Sequence, residues 1–256
     1  MSEKDRRFWD RAARKYAASA IADEEAFART LARVRELTPK GARVLELGCG
    51  TGTAALRLAD AAESYLGTDI SGEMIAIAKE KLAATGDRDL TLRLRFRAAT
   101  AETLAEEPGC YDIVLGFNYV HLAGDLPGAL AHIRALLAPG GLFISKTPCI
   151  GEVNPLLRPL IHLALPVMQL FGKAPSVTSL TAASLEEAIR TAGFSIEETA
   201  YHSAKKNDWR PYRRPRAAIR ERLNARHLRY GGAGRAGKSA PHRSGCLFPN
   251  ASYVGR

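Results

Sequence analysis

Three glycines between a short apolar segment and a helical one restrict the fold of this chain more than any other feature. Residues 43–47 (Arg-Val-Leu-Glu-Leu) have the pattern of a β-strand, residues 53–62 are helical in character, and Gly48-x-Gly50-x-Gly52 lies between them. Glycines let the backbone turn tightly at such a junction, and they let free main-chain N–H groups at a helix start approach a ligand. The turn therefore predicts a nucleotide-like ligand.

The same alternation of strand and helix continues along the chain. Strands that alternate with helices predict an α/β fold with a doubly wound, mostly parallel sheet of the Rossmann-like kind. The further predicted strands are 65–69, 90–96, 111–117, 142–146 and 194–200, and the predicted helices are 8–16, 22–37, 71–84, 126–137 and 184–192.

Asp69 ends the second predicted strand, 17 residues after the last glycine of the turn. A carboxylate at that place can accept hydrogen bonds from both hydroxyls of a ribose. Nicotinamide-dependent oxidoreductases use the same arrangement, but their turn has the spacing G-x-G-x-x-G, and Thr53 stands here where the third glycine would be. An oxidoreductase is therefore the weaker interpretation.

Four segments, in order, resemble motifs of the class I S-adenosylmethionine-dependent methyltransferases. Residues 44–52 resemble motif I, with an acidic residue two positions before the first glycine, and residues 69–74 resemble the second motif. Residues 135–141 resemble the "LKPGG" stretch before the fifth strand, and residues 8–16 resemble the N-terminal helix of ubiquinone/menaquinone-type members. The similarity covers roughly residues 8–201. It implies the class I methyltransferase fold, S-adenosylmethionine as cofactor, and methyl transfer.

The resemblance also implies roles for individual residues. Glu46 would orient the amino acid end of the cofactor, the glycines would contact it through the backbone, and Asp69 would hold the ribose. At the position where the family commonly has an acid that accepts a hydrogen bond from the adenine amino group, this chain has Thr100. A hydroxyl can accept the same hydrogen bond, but a neutral hydrogen bond contributes less to affinity than a charged one. The implied cofactor-contacting residues are Tyr16, Glu46, Gly48, Cys49, Gly50, Gly52, Asp69, Ile70, Met74, Thr100, Ala101 and Asn118.

His121 is the histidine beside the expected reaction centre. As a general base it could take a proton from a phenol, a carboxylic acid or an amine. It could equally be a residue at a helix start that packs under the substrate or bonds to the backbone, so its catalytic role stays open. No metal site is predicted, because the four cysteines are scattered and none belongs to a C-x-x-C pair.

An apolar insertion over residues 150–180 separates the fifth strand from the next helix and is too long for a simple connection, so we expect a lid. Three prolines divide residues 155–172 into short pieces. Periodicity does not distinguish a core-packing helix from the wall of a pocket for an apolar substrate. Together with the resemblance to quinone-type members, the insertion favours a small, apolar or lipid-like methyl acceptor.

The basic character of the chain comes from its last residues. The formal net charge is +10, of which residues 205–256 carry +12 and the methyltransferase domain over 1–204 carries −2. We expect 205–256 to have little order, with at most a basic helix at 216–229, because the chain from residue 213 onward is rich in Arg and Gly and has no sustained strand pattern. Residues 209–216 also have prolines and arginines where a seventh strand is expected. The basic tail leaves one alternative open, a nucleic-acid-binding protein or nucleic-acid methyltransferase.

No apolar stretch reaches the roughly 18 residues that a membrane span needs, and residues 1–7 lack the apolar run of a signal peptide. We therefore expect a cytoplasmic protein without a membrane span. The expected partner is a small-molecule methyl acceptor.

Overall fold

The computed structural model describes residues 1–105, 111–149, 164, 166–169, 171–201 and 216–223. The strands are β1 Arg43–Leu47, β2 Ser64–Asp69, β3 Leu94–Ala98, β4 Tyr111–Phe117, β5 Leu137–Pro148, β6 Phe194–Tyr201 and β7 Arg216–Leu223. The helices are α1 Glu3–Ala18, α2 Glu24–Leu37, α3 Thr53–Leu58, α4 Gly72–Ala84, α5 Arg88–Arg93, α6 Ala101–Leu104, α7 Leu126–Leu136 and α8 Ala182–Thr191. Two 3₁₀ turns lie at Ala59–Ala61 and Val120–Leu122.

The strands form one sheet of order β3-β2-β1-β4-β5-β7-β6. The first five strands are parallel, and β7 runs antiparallel to both of its neighbours. Helices cover both faces, since α2, α3 and α4 pack with one buried cluster and α6, α7 and α8 pack with another. The predicted Rossmann-like, doubly wound sheet is confirmed.

Burial on both faces explains the apolar character of the central strands. In β1 the side chains of Leu45 and Leu47 join the cluster under α7 and α8, and Val44 joins the cluster under α2 and α3. Because neighbouring parallel strands are in register, the carboxyl ends of β1, β2 and β4 lie side by side at one edge of the sheet. Ligands of open α/β sheets bind at this edge.

The third strand differs from the sequence-based expectation. Residues 90–96 were expected to be a strand, but the strand starts only at Leu94, and the preceding residues form α5. Asp87 begins this helix by accepting a hydrogen bond from Leu90 N at 3.0 Å, and Thr91 Oγ1 donates to Asp87 O at 2.7 Å. This local capping stabilises a helical turn and overrides the period-two pattern.

A seventh strand is present where the sequence did not indicate one. The prediction of at most a helix over 216–229 is wrong for residues 216–223, which form β7 between β5 and β6. Because β7 lies between two strands, its backbone N–H and C=O groups are paired on both sides. The sequence-based expectation considered side-chain types alone, and these do not reveal such backbone pairing. The remainder of the predicted low-order tail, and the part of the predicted lid over 150–163, lie outside the described residues.

Along the described part of the chain, no helix combines the length and the apolar character needed to cross a membrane.

The Phe96 ring of β3 supports the glycine turn from below. A Cβ atom at Gly67 of β2 would lie 2.8 Å from the Phe96 ring and 3.2 Å from Cys49 Sγ. A Cβ atom at Gly52 would lie 2.7 Å from the same ring. The two glycines therefore leave the space that this ring fills.

We expect Gly67→Ala to destabilise the fold by about 1–3 kcal/mol, because the added methyl group overpacks the space under the turn. Adding Phe96→Leu should recover part of that loss, so that the double variant is more stable than the sum of the single changes implies. Urea denaturation measures each free energy of unfolding.

Gly72→Ala at the start of α4 is the matched control, because no atom lies within 4 Å of its new Cβ. It should change stability by no more than about 0.5 kcal/mol. Simple additivity of Gly67→Ala and Phe96→Leu would contradict the packing account.

Candidate functional site

Two cavities lie at the carboxyl edge of the sheet and adjoin at the glycine turn. The first cavity has a volume of about 360 Å³ and the second about 290 Å³. Both are lined by Tyr16, Gly48, Gly50, Phe117 and Asn118.

The first cavity extends from the shared residues over the ends of β2 and β3. Its walls there are Asp69, Ile70, Met74, Thr100 and Ala101. The opposite wall follows β4 and includes Tyr119, His121, Leu122, Pro175 and Val177. This cavity thus combines a carboxylate, several apolar surfaces and one histidine.

The second cavity lies on the side of α2. Glu46 of β1 and Cys49 and Thr51 of the turn line it, together with Thr30 of α2 and Lys146 of β5. It is the more polar of the two near the turn, because a buried carboxyl group and a buried ammonium group both belong to its wall.

The fold brings the residues predicted from the sequence together around these cavities. Twelve of the thirteen predicted residues line one cavity or both. Gly52 lines neither, since it is the N-cap of α3, with a left-handed φ of 75° above the Phe96 ring.

The conformation of the turn requires its glycines. Gly48 and Gly50 have φ values of 67° and 54°, which side chains rarely tolerate. A Cβ at Gly48 would lie 2.9 Å from the Tyr119 ring. A Cβ at Gly50 would lie 3.6 Å from Tyr16 Cε1, in the space where the two cavities adjoin.

Asp69 joins the end of β2 to the turn. Its Oδ2 accepts a hydrogen bond from Gly50 N at 3.0 Å, and its Oδ1 accepts one from Ser71 N at 2.9 Å. Burial raises the pKa of this carboxyl group, although both backbone hydrogen bonds lower it. A carboxylate oxygen has room for a second donor, so Asp69 can still accept hydrogen bonds from a ligand in the first cavity.

Glu46 is the corresponding acid of the second cavity. Only 2% of the residue is exposed, and Tyr65 Oη donates a hydrogen bond of 2.8 Å to its Oε2. Burial raises the pKa of this carboxyl group to about 8, against the lowering effect of the Tyr65 bond. A bound cation would favour the ionised form.

Asn118 follows β4 with a left-handed φ of 54°, which no other described non-glycine residue has. Asparagine tolerates this region better than most residues, and such conformations concentrate at functional sites. Its N–H donates to Lys146 O at 2.7 Å, which ties the end of β4 to β5 beside both cavities.

His121 lies in the 3₁₀ turn after β4 and is 8% exposed. Burial lowers the pKa of its imidazole to about 4, and within the described ranges its Nδ1 has no hydrogen-bond partner. Its carbonyl accepts a hydrogen bond from Thr178 N at 2.7 Å, which holds residues 175–178 against the first cavity. The ring is therefore neutral at pH 7, and burial makes it a weaker base than an exposed histidine.

Helix α1 roofs the first cavity. Ala13 of α1 packs against Met74 and Ile77 of α4, and Ser71 Oγ donates to Asp10 Oδ1 at 2.7 Å. Asp5 accepts a hydrogen bond from Ser176 N at 2.8 Å. The roof is thus fixed to both walls of the cavity.

Thr100 also caps a helix, which the sequence did not indicate. Its side chain caps α6 in a capping box with Thr103 while it lines the first cavity. A hydroxyl that bonds to Thr103 is less available to a ligand than the acid it replaces.

Sequence reasoning missed Lys146 and Thr30. The available signal was a lysine at the end of the apolar strand Leu-Phe-Ile-Ser-Lys, where a buried strand rarely carries a charge. Only the tertiary structure brings Thr30 of α2 to it, with 2.9 Å between Lys146 Nζ and Thr30 Oγ1.

No group of three or more His, Cys, Asp or Glu side chains able to hold a metal ion occurs among the residues that the structure describes.

The chain is similar to known methyltransferases in sequence and in fold. Residues 44–141 match the family model of a methyltransferase domain. The ubiquinone biosynthesis O-methyltransferase of Sinorhizobium fredii is 34% identical over 108 residues, which are 42% of this chain and 42% of that protein. The lovastatin nonaketide synthase polyketide synthase component of Aspergillus terreus is 36% identical over 105 residues, which are 40% of this chain and 3% of that protein.

Among solved structures, an S-adenosylmethionine-dependent methyltransferase from Mesorhizobium loti superposes with a TM-score of 0.59. Its sequence is 21% identical, and the match covers 77% of this chain and 97% of that one. This similarity shows the fold. The sequence match to the ubiquinone biosynthesis enzyme spans less than half of that enzyme's length.

Glu46 generates a prediction about stability and pH. Its pKa in the folded protein is about 8, above the ordinary value of 4.5, so the folded state keeps a proton that the unfolded chain loses between these two pH values. The contribution of Glu46 to stability is therefore full at low pH and is lost as the pH rises through about 8. Glu46→Gln, which cannot ionise, should gain stability relative to the natural protein from pH 5 to pH 8.

Urea denaturation of the unliganded protein across this pH range gives the difference directly. Glu73→Gln on the exposed side of α4 is the control and should run parallel to the natural protein at every pH. Equal pH slopes for Glu46→Gln and the natural protein would show that the buried carboxyl group titrates normally.

Proposed function

We propose that this chain is a class I S-adenosylmethionine-dependent methyltransferase that transfers the methyl group of its cofactor to a small acceptor beside His121. Residues 44–141 match the model of a methyltransferase domain, which supports the proposal. The observation that carries the proposal is the pair of acids on the two sides of the turn, the half-buried Asp69 in the first cavity and the buried Glu46 in the second.

The described residues suit the parts of the cofactor. Asp69 accepts hydrogen bonds from the ribose hydroxyls, and Ile70 and Met74 provide apolar surface for adenine. Glu46 attracts the ammonium group of the amino acid end, since this buried carboxyl group gains a counter-ion when it ionises. The narrow space between Gly50 and Tyr16 connects the two ends.

The cofactor supplies a methyl group that is strongly electrophilic because it is bound to a positively charged sulfonium sulfur. The protein therefore needs to orient the acceptor and exclude water more than to activate the methyl group. The roof formed by α1 and the segment 175–178 excludes water from the first cavity. Tyr16 covers the place where the cavities adjoin.

The acceptor binds, in this proposal, at the His121 end of the first cavity. Leu122, Pro175 and Val177 give this end an apolar wall, which suits a small apolar or lipid-like molecule. The neutral imidazole of His121 accepts the proton that a hydroxyl, carboxylic acid or amine loses on methylation. The similarity to a ubiquinone biosynthesis O-methyltransferase supports an oxygen acceptor.

Calorimetric titration tests the cofactor. The natural protein should bind S-adenosylmethionine and S-adenosylhomocysteine but not NADH. Asp69→Asn should weaken binding of both about 10- to 100-fold, because it removes charge-assisted hydrogen bonds to the ribose. Asp60→Asn, a change at a carboxylate that lines neither cavity, should bind like the natural protein.

Thermal unfolding of each variant shows whether it is folded. Failure of the folded natural protein to bind either adenosyl compound would refute the proposed cofactor.

His121→Gln tests the acceptor end of the cavity. Formation of S-adenosylhomocysteine is followed with a panel of phenols, aromatic carboxylic acids and amines. The variant should lose about 10²- to 10⁴-fold in turnover, the usual contribution of a general base, with unchanged affinity for S-adenosylhomocysteine.

In the natural protein, turnover should fall only as the pH approaches the His121 pKa of about 4, below which the imidazole is charged. Equal turnover of His121→Gln and the natural protein would remove His121 from the mechanism and leave it a packing residue.

A further inference from the structure

A buried lysine lies in the wall of the second cavity without a role in the proposed methyl transfer. Lys146 is 5% exposed, although it belongs to the otherwise apolar strand β5. Burial of an ammonium group costs free energy unless polar groups surround it. A lysine at this position therefore needs polar partners in the protein or in a ligand.

Helix α2 holds the ammonium group in place. Lys146 Nζ donates to Thr30 Oγ1 at 2.9 Å, and Thr30 Oγ1 donates to Ala26 O at 2.7 Å. Thr30 is 2% exposed, so this contact lies in the interior between α2 and β5. The position of the charge is therefore fixed before any ligand arrives.

Lys146 and Glu46 belong to the same face of the sheet. Glu46 pairs with Leu115 of β4, and Leu115 pairs with Ile144 of β5. Lys146 is two residues beyond Ile144, and side chains two residues apart on a strand point to the same face. Both side chains line the second cavity, one on each side of β4.

We propose that Lys146, positioned by Thr30, binds the α-carboxylate of the cofactor while Glu46 receives its α-ammonium group. This inference rests on the proposed function, because it assumes that an S-adenosyl amino acid occupies the turn. A buried acid and a buried ammonium group in one cavity complement a zwitterion, which an adenosyl compound without an amino acid end lacks. The pair therefore makes the site specific for the amino acid end of its ligand.

The test compares two ligands that differ only in the carboxylate. These are S-adenosylhomocysteine and its decarboxylated analogue, S-adenosyl-3-thiopropylamine. Calorimetric affinities are measured for the natural chain and for two variants of it. Lys146→Met keeps the length of the side chain without its charge, and Thr30→Val removes the hydroxyl group. Lys79→Met on the exposed side of α4 is the control.

The natural protein should prefer S-adenosylhomocysteine to the analogue by about 10- to 100-fold, the usual effect of a charge-assisted hydrogen bond. Lys146→Met should abolish this preference by weakening S-adenosylhomocysteine alone, and Thr30→Val should reduce it by a smaller factor. Lys79→Met should leave it unchanged. Unaltered binding of the analogue to Lys146→Met shows at the same time that the variant is folded.

Three results would overturn the inference. The first is an unchanged preference in Lys146→Met, and the second is an equal loss of affinity for both ligands. The third is a natural protein that binds neither ligand, which refutes the proposed function as well. In the first two cases the natural protein still binds S-adenosylhomocysteine, so the proposed cofactor stands and only the role of Lys146 fails.

Discussion

The hydrogen bond from Gly50 N to Asp69 Oδ2 fixes the arrangement on which the rest of the site depends. It joins the turn after β1 to the end of β2, two strands whose parallel register already places their carboxyl ends side by side. The turn can approach Asp69 because its glycines adopt left-handed conformations and because Gly67 leaves space for the Phe96 ring beneath. Backbone geometry and packing thus position one carboxylate at the mouth of the first cavity.

Electrostatics then gives the two cavities their character. Glu46 is buried and Asp69 is half-buried, and desolvation raises the pKa of each carboxyl group. Such acids are poorly solvated when ionised, so a ligand that brings positive charge and hydrogen-bond donors stabilises them. Burial lowers the pKa of His121 instead, because it disfavours the charged imidazolium, so the imidazole stays neutral. Burial therefore favours a cationic ligand beside the acids and keeps the histidine in its neutral form.

The N-terminal helix completes the site by contacts at a distance in sequence. Asp5 and Asp10 of α1 accept hydrogen bonds from Ser176 and Ser71, which lie on opposite walls of the first cavity. Each is a hydrogen bond to a carboxylate, worth roughly 1.5–3 kcal/mol when partly buried. The helix is consequently held by polar contacts to both walls of the cavity and by the packing of Ala13 against α4. This combination suits a cover that contacts ligand on one side.

The sequence by itself determined the layered α/β fold, the glycine turn and Asp69, because apolar periodicity and glycine spacing are local properties of the chain. It failed for residues 90–93, where the Asp87 cap outweighs the alternating pattern, and for β7, whose place depends on pairing with two distant strands. Only the tertiary structure decided that Gly52 lies outside both cavities, and that Thr100 caps a helix. It alone brought Lys146 and Thr30 together from positions 116 residues apart. Burial and contacts between distant segments set these features, and a local pattern does not contain them.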